Sequence, residues 1–116
     1  MDYLKLLSSL KKDVIANPKF ETIQYFRKDF ISVWIWIYLL ENHFNNKKKI
    51  NIQNIIQEIP NEYASRPTVY KIIDAAVIKK YFIKVIDEKD KRKYNLFPST
   101  QVISEFKEWS KVFKGF

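Results

Sequence analysis

Ala64-Ser65-Arg66-Pro67-Thr68-Val69-Tyr70-Lys71-Ile72-Ile73-Asp74 is the stretch on which the fold of this chain turns. Ser65 stands where its hydroxyl can cap the first free amides of a helix, and Pro67 is tolerated just behind it because first-turn amides have no helical acceptor to lose. Val69, Ile72, Ile73 and Ala76 recur at spacings of three and four and form an anchoring face. Ser65, Arg66, Thr68, Tyr70 and Lys71 form the outward set. Just upstream, Ile52, Ile55, Ile56 and Ile59 repeat at the same spacing until Pro60-Asn61 breaks the pattern. Two short helices joined by a turn predict a helix-turn-helix unit over about 52–77.

Downstream the period changes. Phe82, Ile83, Val85 and Ile86 are a β-prone run, the charged stretch Asp87 to Lys93 follows, and Tyr94 and Leu96 alternate toward a core before Pro98. This predicts a hairpin, or wing, over about 82–97 with Lys91, Arg92 and Lys93 near its tip. Ser99 or Thr100 then opens a helix over about 100–114 that carries Val102, Ile103, Phe106, Trp109, Val112 and Phe113 on one stripe. At the other end, Leu4, Leu7, Leu10 and Val14 predict an amphipathic helix over about 3–16, which Asn17-Pro18 ends. A second tract starts near Glu21 or Asp29 and runs to about Phe44. It is apolar on nearly every side, which places it at the centre of the molecule or against a second subunit. The expected fold is mainly α with a small β wing: a winged helix-turn-helix with flanking dimerisation helices, in one domain spanning 1–116.

Composition narrows the chemistry. The 116 residues suit one domain, and 47% hydrophobic content argues against disorder. There is no Cys and a single His, so disulfides, thiolate clusters and cysteine nucleophiles are excluded, and no metal or other cofactor is expected. One glycine, Gly115, leaves nothing with which to build a phosphate-cradling loop. His43 stands alone, the acids Asp87, Glu88 and Asp90 lack the spacing of a calcium loop, and no catalytic constellation emerges, so an enzyme is not expected. The apolar run Phe30 to Leu40 is about half a membrane span, and the start of the chain lacks an export signal, so a cytoplasmic protein is the expectation. The formal charge of +8 points to a polyanion partner. Nine basic and six acidic residues fall in 1–58 and twelve and seven in 59–116, so the excess leans only modestly toward the second half.

The stretch from Ile52 to Ser99 resembles the DNA-binding core of the MarR family of winged-helix transcriptional regulators. Ala64 to Asp74 is similar to that family's recognition helix, and Asp90-Lys91-Arg92 to its Asp-x-Arg wing signature, with Leu96 at the following apolar strand position and Pro98-Ser99 where a Leu-Thr pair usually leads into the next helix. One departure is clear: Tyr81 occupies the turn where the family usually has Gly. The resemblance implies a dimer whose first and last helices pair across a two-fold axis and whose wings reach the minor groove. On that basis Leu4, Leu7, Leu10, Phe106, Trp109, Val112 and Phe113 are the expected dimerisation residues.

Residue chemistry assigns the roles. Arg66 either donates two hydrogen bonds to a guanine edge or is a solvated cation. Thr68 meets a base methyl or a phosphate, Ser65 is a cap before it is a reader, and Tyr70 either offers its hydroxyl to phosphate or packs on the preceding helix. In the wing, Lys89, Lys91, Arg92 and Lys93 are the candidate contacts; Asp90 either pairs with Arg92 or accepts turn amides, aiming the arginine at the minor groove. Lys47 to Lys49, Lys79, Lys80 and Lys84 are either phosphate contacts or solvated links. The expectation is a homodimeric regulator of transcription that binds double-stranded DNA sequence-specifically, without a membrane or an assigned small-molecule effector. The alternative is a winged-helix interaction or assembly factor that does not bind specific DNA.

Overall fold

A computed structural model describes residues 2–15, 19–46 and 49–111. The order is α1 (Tyr3–Ile15), α2 (Glu21–Phe26), α3 (Phe30–Phe44), β1 (Ile50–Asn51), α4 (Ile52–Glu58), α5 (Arg66–Ile78), β2 (Phe82–Ile86), β3 (Tyr94–Pro98) and α6 (Thr100–Ser110). This is a mostly helical chain with a small antiparallel sheet, as the sequence patterns predict.

The apolar second tract uses both of its candidate starting points. Asp29 turns extended and its carboxylate accepts from the Ser32 amide at 2.7 Å and the Ser32 hydroxyl at 3.0 Å, capping α3 and separating it from α2. α3 is central: Ile31, Ile35, Trp36, Leu39 and Leu40 are buried, while Val33, Trp34 and Tyr38 pack partly against the same core. Asn51 and Asn54 cap each other's amides at the start of α4. Ile55, Ile56 and Ile59 then meet Val69, Ile73 and Ala76 of α5 in the core.

The wing is not a simple two-stranded hairpin. Its strand order is β1-β3-β2, with Ile50 opposite Leu96 and Asn51 opposite Asn95. Two residues are too few to show a period, so only the sheet itself reveals that the chain leading into α4 is stitched to the wing. Tyr94 also departs from expectation: it lies beyond the edge of the core and is exposed, whereas Leu96 is buried and the intervening Asn95 is buried too.

The turn after α5 explains the departure at Tyr81. The left-handed residue is Lys80, at φ 65°, and the amides of Lys80 and Tyr81 donate to the carbonyls of Val77 and Ala76 at 2.9 Å each. Tyr81 is then free to turn inward, where its ring meets Tyr25 and Phe26 and its hydroxyl donates to Glu21 Oε1 at 2.7 Å. Burial, helped by that hydrogen bond, pushes the hydroxyl pKa up to about 12.

The last helix locks the first two in place. Glu105 accepts from the amide and hydroxyl of fully buried Thr22 at 2.9 and 3.0 Å. Asp13 of α1 accepts from Trp109 Nε1 at 2.9 Å and pairs with Arg27, whose guanidinium also donates to the Asp13 carbonyl at 2.9 Å. By contrast, Leu4 and Leu7 are 79% and 60% exposed, and Tyr3 and Val14 are exposed on the same side of α1.

Candidate nucleic-acid interface

Helix α5 presents its first turn to solvent. Ser65 accepts from the Thr68 amide at 3.3 Å and its hydroxyl lies 3.0 Å from that of Thr68, so it acts as the cap. Arg66, Thr68 and Lys71 are exposed beside it, with the free helix amides favouring negative charge at the same end. Tyr70 packs on the preceding helix: it is partly buried against the core, and its hydroxyl accepts from Gln53 Nε2 of α4 at 2.9 Å.

The wing tip is held by two carboxylates. Asp87 accepts from Asn95 Nδ2 at 2.9 Å and from the amides of Asp90 and Lys89 at 2.9 and 3.0 Å. These bonds, the Asn95 one first, lower its pKa from 3.8 to about 2. Asp90 combines its two alternatives as well, accepting from the Arg92 amide at 3.1 Å and from Arg92 Nε at 3.2 Å. Its pKa is lowered, chiefly by the Arg92 side chain. The Arg92 side chain nevertheless remains 91% exposed, so the pair aims the guanidinium without covering it. Lys89, Lys91 and Lys93 stand exposed around it.

The helix and the wing meet in a cleft of about 210 Å³. Tyr70 of α5 and Gln53 of α4 form one wall, and Lys84, Arg92, Lys93 and Tyr94 of the wing form the other. Sequence reasoning does not single out Gln53 for this surface, and it leaves Lys84 open between a phosphate contact and a solvated link. The signal for Lys84 is its place in an otherwise apolar strand beside Tyr94, whose ring its ammonium covers at 4.4 Å. Gln53 carries no such signal, because its partner lies 17 residues away.

A separate apolar cavity of about 300 Å³ lies between the start of α3 and the turn after α4. Phe30, Trp34, Ile59 and Tyr63 contribute to its walls, and Glu58 is its only charged lining residue.

The expected dimerisation residues divide. Leu4, Leu7 and Leu10 are exposed along α1. Phe106 and Trp109 are instead partly buried, with their rings against Trp36 at 5.8 and 6.3 Å. Val112 and Phe113 lie outside the described residues, as do Lys47 and Lys48. Among the described residues no group of His, Cys, Asp and Glu is arranged to hold a metal, and no helix is long and apolar enough to cross a membrane.

No family model matches the sequence, and no curated protein matches it. Solved structures do. A mutant of MepR from a multidrug-resistant S. aureus clinical isolate superposes with a TM-score of 0.59 at 18% identity, over 97% of this chain and 76% of that one. A structure of S. aureus MepR with DNA gives a TM-score of 0.49 at 17% identity, over 95% and 73% of the two chains. The fold of this chain is therefore a winged helix-turn-helix similar to that of the MepR mutant.

Proposed function

We propose that this chain is a sequence-specific, double-stranded DNA-binding regulator of transcription, a single winged-helix domain that works as a homodimer. The observation that carries the reading is the cleft in which Tyr70 of α5 faces Arg92 and Lys93 of the wing, because it sets two exposed cationic elements on one side of the molecule. In this reading α5 enters the major groove, where Arg66 donates to a guanine edge, Thr68 touches a base methyl or phosphate, and Ser65 and Lys71 flank them. Arg92, aimed by Asp90, enters the minor groove, with Lys89, Lys91 and Lys93 at the flanking phosphates. None of these roles involves bond making, so the protein is not an enzyme in this reading, and it acts in the cytoplasm.

The homodimer is supported by the apolar stripe of α1, where Leu4 and Leu7 are largely uncovered and Leu10 is partly so among the described residues. In this reading Phe106 and Trp109 of α6 complete that surface together with Val112 and Phe113, the last two of which lie outside the described residues. Two protomers then set their recognition helices roughly 34 Å apart, one turn of duplex.

A salt-titrated shift assay on mixed duplexes tests the proposal. Binding should fall steeply with salt, Lys93→Ala should weaken every duplex alike, and Arg66→Ala should weaken some sequences more than others. Unchanged affinity in both variants rejects these site assignments. A lack of duplex binding at low salt favours the interaction-module alternative, for which the exposed Ile83, Val85 and Ile86 of edge strand β2 offer a surface.

A further inference from the structure

The cleft between α4, α5 and the wing has a composition that groove reading does not require. Three of its lining residues, Lys84, Arg92 and Lys93, are basic and none is acidic. Its neutral wall is organised as well: Gln53 donates to the Tyr70 hydroxyl at 2.9 Å, which leaves that hydroxyl's own proton available to an acceptor. On the facing wall the Tyr94 ring holds the Lys84 ammonium at 4.4 Å, fixing a long side chain that would otherwise lose rotamer freedom on binding. Arg92 has its partner in Asp90, whereas Lys84 and Lys93 make no ion pair with a described carboxylate.

We infer that this cleft is a seat for one phosphodiester of the duplex backbone, held by the Tyr70 hydroxyl, Lys84 and Lys93 and squared by Gln53. The inference rests on the duplex-binding reading and deepens it. It gives Tyr70 a backbone contact in addition to its packing on α4, takes Lys84 as a phosphate contact rather than a solvated link, and adds Gln53 as a DNA-positioning residue. A phosphate gripped between the helix and the wing fixes the depth of one in the major groove relative to the other in the minor groove. The seat therefore sets register and carries no sequence information of its own.

The test uses the full chain and a panel of mixed-sequence duplexes, with Kd measured against salt concentration. Lys84→Gln should lower the slope of log Kd against log salt by about 0.9, the share of one released counterion, while Lys12→Gln on exposed α1 leaves it unchanged. Tyr70→Phe should weaken every duplex by the same factor, about three- to tenfold, and the double variant should lose less than the product of the two single losses because both act on one phosphate. A slope unaltered by Lys84→Gln, or a sequence preference shifted by Tyr70→Phe, overturns the seat while duplex binding stands. A wild-type protein that binds no duplex overturns the duplex reading, and this inference with it. Inorganic phosphate at matched ionic strength, followed through the Gln53 side-chain amide, should bind no tighter than millimolar; tight binding overturns the duplex assignment in favour of a free anion.

Discussion

At the scale of single residues, the wing tip depends on Asp87. Its pKa is lowered to about 2, so the stability it contributes is fully present above its ordinary value near 3.8 and is lost as pH falls through about 2. Asn95→Ala removes the first of the bonds that lower it. The Asp87 titration, followed by carboxyl NMR, should then move up toward 3.8, and the wing should loosen at a correspondingly higher pH. Lys80 is the opposite kind of residue, one that costs stability where it stands. A side chain at φ 65° crowds the backbone, and glycine removes that strain while enlarging the freedom of the unfolded chain. Lys80→Gly should stabilise the fold by about 0.5–1 kcal/mol in urea denaturation.

At the scale of elements, two serine caps invite comparison. Ser65 caps α5 from an exposed position with a 3.3 Å bond, while Ser99 caps α6 from a buried one with a 3.1 Å bond to the Val102 amide. Water can replace the first acceptor and cannot reach the second. Thermal unfolding should show Ser65→Ala costing about 0.5 kcal/mol and Ser99→Ala about 1–2 kcal/mol. Both caps are readable in the sequence because a hydroxyl residue before an apolar period is a local signal. The core faces of α4 and α5 are legible for the same reason, since Ile55, Ile56, Val69 and Ile73 announce themselves by spacing. Ile50 and Ile52 suggest a short extended piece, but the pairing of β1 with the wing, the inward turn of Tyr81 and the Gln53–Tyr70 bond are not legible. Each depends on a partner far along the chain, and no local period encodes it. The candidate site divides along the same line: its exposed cations can be named from sequence, while the cleft that joins them cannot.

At the scale of the whole molecule, the chain is longer than its mass requires. Its radius of gyration is 15.4 Å and its extents are 49 × 30 × 26 Å, against about 13 Å expected for a compact domain of this length. If the bare stripe on α1 is an interface between two copies, Leu7→Glu should convert a sedimenting dimer to monomer without unfolding the winged-helix core. Sedimentation that shows only monomer for the unaltered chain at micromolar concentration would sink the dimer.

If two copies meet on α1, that helix also ties the protein's order to its own abundance. A helix of 13 residues is marginal alone in water, and Asp13 in its final turn ties it to Trp109 and Arg27 of the body. Where the first turns of α1 are covered only by a second copy, their order becomes a function of protein concentration. Dilution would then fray the exposed start of the helix as well as separate the two protomers. Below a threshold amount per cell the chain would lose the spacing between its paired recognition surfaces, and with it the cooperative half of its affinity, all at once.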